Sequence, residues 1–372
     1  MNENKGYIKP LNIAIRRYLK DAVRITLKDP SQARFFLRML RSQREAARTR
    51  QKWENKGLHV PPFLIASVTN RCNLQCKGCY AQAHAQHRPL GAEMSEYKLR
   101  SVIAEARELG ISAILFAGGE PFVRKELTSI TRDFPEIIFP IVTNGTLLDD
   151  ALIQKLKEQR NVWPVLSIEG LEGDTNGRRG NGVHQRVQTA MKRLKDNGIF
   201  FGCSLTVTRS NVSTITDEHF MQDLIKAGGK LFFFVEYVSI NEETEDWVLT
   251  NEQRADLLAA ADAFRATLPG LFIAFPGDEK QFGGCLAAGR GFVHISPEGN
   301  LEPCPFSPYS DTNLRDVSLK EGLQSHFLQA IRQNHSQLTE TVGGCALWTE
   351  REWVRSLLPE KISSCGTARE HE

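Results

Sequence analysis

Three thiols crowd the stretch SVTNRCNLQCKGCYAQ, residues 67–82, where Cys72, Cys76 and Cys79 form a C-x3-C-x2-C array. Thiolates are soft metal ligands, and their number selects the metal. A structural zinc ion takes four ligands, commonly as two C-x2-C pairs, and no second pair follows at a suitable spacing. Three thiolates suit an iron–sulfur cube with one iron left open, which can take an exogenous ligand where a closed site cannot. No apolar stretch approaches the ~18 residues of a membrane-spanning helix, and the N-terminus lacks the apolar core of a signal peptide. The expected compartment is therefore the cytoplasm. Thiols stay reduced there, so eight cysteines read as ligands or catalytic groups rather than disulfides.

Such a loop needs a rigid support, and the sequence offers one. Short β-rich runs at Phe63–Val68, Ala113–Ala117, Ile137–Val142, Val162–Ile168, Ile199–Val207 and Leu231–Val238 alternate with amphipathic stretches. Those stretches are Ser95–Leu109, Leu147–Gln159, Val187–Asn197 and Thr214–Ala227. Parallel strands with right-handed helical crossovers make an α/β fold, here a partial (β/α)6 barrel of the TIM type over residues 59–275. Ligands gather at the C-terminal ends of such strands, and the cysteine loop directly follows the first one. Glu236, at the end of the sixth strand, and Asp278 and Glu279 in FPGDE are candidates to face a substrate across the mouth.

Residues 1–58 differ in kind. Fifteen Lys and Arg against five Asp and Glu in residues 1–60 leave +10 locally, so the remainder carries +3 − 10 = −7. Leu11, Ile15, Tyr18, Ala22 and Ile25 recur at helical spacing, Pro30 interrupts, and a second helix is expected from Ser31 to Glu54. Arg34, Arg38, Arg41, Arg44 and Arg48 share one face of it, with Phe36, Leu37 and Leu40 on another. This basic extension either packs on the main domain with its charges solvated, or rests residues 1–57 on an anionic membrane surface if its apolar face is exposed. Nucleic acid is disfavoured, because no aromatic residues interleave the basic stripe.

The cysteine loop resembles that of the radical S-adenosylmethionine (radical SAM) superfamily, and further motifs extend the likeness. Gly118-Gly119-Glu120-Pro121 after the second strand is similar to the family's GGEP turn, and Thr143-Asn144-Gly145 after the third to its T-N-G turn. Ser167-Ile168-Glu169-Gly170 after the fourth is similar to S-I-D-G, with Glu169 in place of Asp. The resemblance implies that Cys72, Cys76 and Cys79 hold a [4Fe-4S] cluster. It also implies that Gly118, Gly119, Glu120, Pro121, Thr143, Asn144, Ser167 and Glu169 surround S-adenosylmethionine. Arg179, or its neighbour Arg178, would meet the methionine carboxylate. One departure is Gly78, where the family often has an aromatic residue; Tyr80 is the substitute ring.

Downstream, Cys285 and Cys304 with Gly299 read C-x13-G-x4-C, and a turn at Pro297–Asn300 folds one cysteine toward the other. This resembles the opening of the SPASM and Twitch auxiliary domains, so residues 276–372 are expected to hold a second cluster through Cys285, Cys304, Cys345 and Cys365. Cys203 reads as a small core residue and His294, in FVHIS, as an exposed or partly satisfied side chain. The implied activity is reductive cleavage of S-adenosylmethionine to a 5′-deoxyadenosyl radical that attacks an unactivated C–H bond. A flavodoxin or ferredoxin would be the reductant. The substrate is first a peptide or protein side chain, with a lipid-linked or tetrapyrrole molecule at the inner face of the membrane as the alternative. A zinc or iron–sulfur binding module and a simple electron carrier are the readings of another class.

Overall fold

Apolar runs of four to seven residues that are largely buried become parallel strands, and there are eight of them among the described residues. In the computed structural model, which describes residues 6–86, 91–240, 242–338 and 345–359, β1 (Phe63–Thr69), β2 (Ala113–Gly118), β3 (Phe139–Thr143), β4 (Val162–Ser167), β5 (Gly202–Val207), β6 (Leu231–Glu236) and β7 (Leu271–Phe275) follow one another across the sheet. β8 (Phe292–Ile295) then returns to the far side of β1 and pairs parallel with it, and β9 (Leu301–Glu302) closes a short antiparallel hairpin. The fold is the open partial barrel that the sequence implies, with β7 and β8 added to the six expected strands. Neither added strand alternates in polarity. LFIAF and FVHI lie in a sheet covered on both sides, and the alternation rule misses such runs.

The crossover helices cover the outer face. Leu99, Val102, Ile103 and Ala106 of α4 (Glu96–Leu109) pack there, as does Phe264 of α11 (Asn251–Thr267) against Phe234 and Phe272. Between them come α5 (Leu127–Arg132), α6 (Asp150–Lys157), α7 (Glu172–Arg179), α8 (Val183–Asp196), α9 (Val212–Ile215) and α10 (Glu218–Lys226). The expected single helix over Thr214–Ala227 is two, because the Asp217 side chain accepts from Phe220 N–H and starts a new helix.

The inner face is closed from below by α1 (Ile8–Ile25) and α2 (Pro30–Asn55). Phe36 is fully buried between Trp163 and Phe200, with ring centroids 5.5 and 5.2 Å away. Gln32 donates to Gly198 O (3.1 Å), Gln43 binds Ser112, and Arg50 donates to Gly110 O (2.6 Å). All of those acceptors stand at or just before the start of a strand, so α2 lies across the N-terminal ends. Tyr18 of α1 donates to Phe272 O on the exposed edge of β7, which blunts that edge. Much of the apolar face of the extension, Phe36 above all, is thus spent on the barrel, while Leu37 stays exposed.

Candidate active site

At the opposite end the motif turns brace one another. Glu120 is 1 % exposed: Oε1 accepts from Thr143 Oγ1 (2.7 Å) and Phe122 N (3.2 Å), and Oε2 from Asn144 N (2.8 Å). Asn144 Nδ2 in turn donates to Asn73 Oδ1 (2.8 Å), and Asn73 donates to Thr146 Oγ1 (2.8 Å). Asn73 sits inside the cysteine loop, so one chain of hydrogen bonds runs from the second strand end through the third to the thiols. Gly118 has φ +123°, and a side chain there would strike Thr69 O, while one at Gly119 would strike Arg71 O. The glycine pair therefore lets this turn lie directly on the backbone leading into Cys72. Pro121 opens a single helical turn, with Glu120 as its cap.

The fourth strand supplies the charge. Glu169, 1 % exposed, receives Arg178 Nη1 at 2.7 Å and Arg179 Nη2 at 2.5 Å, both on Oε1. Burial pushes the Glu169 carboxyl up, but Arg178 and Arg179 outweigh burial and hold it below the usual carboxylate range. Its Oε2 is buried and has no partner among the described residues. Arg179 Nη1 lies 4.0 Å from Cys76 Sγ, and the backbone of Arg178 accepts from Lys77 N (2.9 Å). Burial pushes the Cys76 thiol up, and Arg179 and Arg178 pull it part of the way back. Ser167, on the same strand, is buried at the inner face.

Gly78 turns with φ +60°, and the space its side chain would fill is taken by Tyr237 and Trp247, whose ring centroids are 5.3 Å apart. The aromatic groups over the loop thus come from the end of β6. Tyr80 instead packs on Phe306 at 5.4 Å, toward Cys304. Beneath it lies a buried polar chain that sequence reasoning missed: Ser67 Oγ binds His294 Nε2 (2.8 Å) and His294 Nδ1 binds Glu302 Oε2 (2.8 Å). His294, expected to be exposed or partly satisfied, is 4 % exposed and hydrogen-bonded at both ring nitrogens, which corrects the exposed half of that expectation. Its opposite number across the β1–β8 ladder is Ile65, an inner-face position two before Ser67, and that register was the available signal.

The three acidic candidates do not meet at the mouth. Glu236 lies on the outer side of β6 and pairs with Arg254 of α11 (2.7 Å). Asp278 accepts from Arg265 (2.6 Å) and from Ala274 N (2.9 Å), so it holds the edge of β7. Glu279 accepts from Leu286 N (3.1 Å) in the region of Cys285, Cys304 and Cys345. Burial pushes Cys285 and Cys304 well up, and Glu279 adds to both; burial takes Cys345 up to about 12. Cys365 lies outside the described residues.

The donor set fits a cluster better than a single ion. Among the described residues no three His, Cys, Asp or Glu side chains converge on one metal-ion position, which a zinc site requires. In an iron–sulfur cube each thiolate meets a different iron, so the sulfurs stand apart. The unpartnered Glu169 Oε2 and the two guanidiniums beside Cys76 offer an acceptor and positive charge to a zwitterionic ligand above the loop.

Residues 66–227 match the Radical SAM superfamily. Members use a [4Fe-4S] cluster with S-adenosylmethionine, and these are the cofactors of this chain as well. It is 26% identical over 320 residues to an AdoMet-dependent heme synthase of Oleidesulfovibrio alaskensis, covering 76% of this chain and 82% of that one. A PqqA peptide cyclase of Granulibacter bethesdensis is 26% identical, with 66% and 68% covered. Among solved structures, SuiB of Streptococcus suis bound to S-adenosylmethionine superposes with a TM-score of 0.63 at 18% identity, covering 82% of this chain and 75% of that one.

Proposed function

We propose that this radical SAM enzyme modifies an unactivated C–H bond of a peptide or protein side chain. In this reading residues 1–58 form the floor extension, 59–275 the catalytic barrel, and 276–372 a region holding a second cluster through Cys285, Cys304, Cys345 and Cys365. The observation that carries the catalytic half is the Arg178–Glu169–Arg179 group standing against Cys76. When bound, the cluster and S-adenosylmethionine supply one-electron cleavage to a carbon-centred radical.

The chain's own residues do the rest. Cys72, Cys76 and Cys79 provide the three thiolates, and Asn73, Asn144 and Glu120 hold their loop in register with the strand ends. Glu169 keeps one carboxylate oxygen for a ligand hydroxyl or ammonium, and Arg179 is placed to balance a carboxylate. His294, tied to Glu302 at Nδ1, stands ready to take a proton through the Ser67 hydroxyl. A flavodoxin or ferredoxin delivers the electron.

Support for the peptide comes from the peptide cyclase relative, and the heme synthase relative, matched over a longer span, supports an iron tetrapyrrole as the second reading. The test is anaerobic reconstitution followed by reduction, with 5′-deoxyadenosine measured alone, with candidate precursor peptides and with iron coproporphyrin. Stimulation and a mass change in a peptide support the first reading. The same response to the porphyrin transfers the assignment to it. Absence of 5′-deoxyadenosine under every condition removes the enzyme reading.

A further inference from the structure

Catalysis leaves the outward face of the α1–α2 hairpin without a task, and that face is unlike the rest of the surface. Between residues 6 and 57 thirteen Lys and Arg are exposed against one exposed carboxylate, Glu45. None of the thirteen makes an ion pair among the described residues, whereas elsewhere on the surface exposed lysines find partners, as in Lys192–Asp196 and Lys226–Asp223. A one-sign field of this kind repels itself and weakens the fold, and a partner of opposite charge offsets that cost.

Its apolar content is equally particular. Of the five large apolar side chains exposed among the described residues, three stand here: Ile13 at 59 %, Leu27 at 64 % and Leu37 at 52 %. Ile13, Arg16, Lys20 and Arg24 follow a single stripe on α1 at three- and four-residue steps, with Leu27 exposed in the turn beyond its end, and Arg34, Leu37, Arg38 and Arg41 follow one on α2. An open depression lined by Ser31, Arg34, Phe35, Arg38 and Arg160 gathers three guanidiniums around an aromatic floor. That combination suits a phosphate joined to an apolar tail. The three protruding side chains are aliphatic, so they can enter an acyl layer but cannot stack on bases.

We propose that the outer face of the α1–α2 hairpin docks on an anionic lipid bilayer, its arginines on headgroup phosphates and Ile13, Leu27 and Leu37 in the interfacial layer. The inference concerns the outward face, since the inward face is buried in the barrel. It has a consequence for access. Because α2 crosses the N-terminal ends of the strands and the thiols lie at the C-terminal ends, a docked molecule turns its mouth away from the bilayer, and substrate arrives from the aqueous side.

The test uses the full chain with its clusters in place, sedimented with vesicles of phosphatidylcholine alone and of phosphatidylcholine mixed with phosphatidylglycerol, at low and high salt. Binding to the anionic vesicles alone, weakened by salt, is expected. Each basic group near such a surface is worth roughly five-fold in partition, so Arg34→Gln/Arg38→Gln/Arg41→Gln should lower it about a hundred-fold. Leu27→Ser/Leu37→Ser should lower it several-fold while leaving the salt dependence in place. These positions are exposed and outside the site, so 5′-deoxyadenosine formation and circular dichroism should match the parent and report on folding. Equal partition into both vesicle types, none into either, or indifference to the arginine substitutions overturns the proposal. A duplex DNA shift that the same substitutions abolish, with no vesicle binding, assigns the face to nucleic acid instead.

Discussion

The chain keeps two groups of cysteines in opposite electrostatic surroundings. Cys72, Cys76 and Cys79 lie on a partly open loop with Arg178 and Arg179 against Cys76. Cys285 and Cys304 are buried, with Cys345 half-buried nearby and Glu279 acting on all three. Burial pushes thiols up in both places; Arg179 and Arg178 pull Cys76 part of the way back, whereas Glu120 adds to the rise at Cys72 and Glu279 to that at Cys285 and Cys304. A site flanked by cations accepts negative charge readily, and one flanked by carboxylates resists it. In the proposed reading Cys76 is the position at which positive charge favours an electron and an anionic ligand, and the region of Cys285 and Cys304, beside Glu279, is the one that resists added negative charge.

The sharpest way to break this comparison is to remove each group in turn. Cys72→Ala/Cys76→Ala/Cys79→Ala should abolish 5′-deoxyadenosine formation and lose about half of the bound iron. Cys285→Ala/Cys304→Ala/Cys345→Ala should lose the other half yet retain 5′-deoxyadenosine formation in the absence of substrate. Equal iron loss with equal loss of activity in both would mean that the groups are not independent.

The next effect separates a charge that serves the site from one that serves the fold. Glu169→Ala strands two buried guanidiniums and should cost about 3–5 kcal/mol in urea unfolding, with loss of S-adenosylmethionine binding. Glu236→Ala removes the outer-side ion pair with Arg254, and should destabilise while leaving that binding intact. The pH response gives a further contrast. Because the Glu169 pKa is depressed on folding, its stabilisation is complete above the ordinary carboxylate range and is lost as pH falls through the folded value. Glu169→Gln should therefore flatten the acid limb of the parent's stability curve; an unchanged limb would show that the arginines do not govern that carboxyl.

A smaller effect belongs to the braces. Asn144→Ala removes the bond to Asn73 and the two that its Oδ1 accepts from Thr146 N and Thr146 Oγ1, and Asn73→Ala removes two, each net bond being worth about 1 kcal/mol. Both variants should release iron to a chelator faster from the first group only. Uniform release from both groups would mean that the bonds stabilise the whole fold rather than the loop.

These braces also show where the sequence was legible. The motif residues and their order along the strand ends were readable, because each is a short turn whose residue types are dictated locally. Their partners were not. The Glu120 carboxylate accepts from Thr143, Asn144 and Phe122, and nothing local in GGEP announces a contact twenty-three residues away. The helical hairpin was legible as two basic amphipathic helices, since 3.6-residue periodicity is a local property. Its seat across the strand starts was not, because it depends on Trp163 and Phe200 meeting Phe36 from distant parts of the chain. β8 escaped for the same reason: a strand's neighbour is a tertiary fact, and without it nothing told an exposed His294 from a satisfied one.

The smallest expected effect tests the comparison at its source. If negative neighbours set the character of the second group, then Glu279→Gln removes one charge while keeping size and the capacity to accept from Leu286 N. Less negative charge around a cluster favours the reduced form, so the lower of two potentials should rise in a redox titration followed by electron paramagnetic resonance. The potential of the first cluster should not move, since Glu279 does not figure among the groups acting on Cys72 or Cys76. A rise in both potentials would point to a general loosening of the chain, and a rise in neither would remove Glu279 from the surroundings of the second cluster. In the opposite direction, Arg179→Gln should lower the potential of the first cluster alone, because it withdraws the guanidinium that stands 4.0 Å from Cys76 Sγ. Opposite shifts at separate sites, from two single-charge changes, would follow from the charge environments alone.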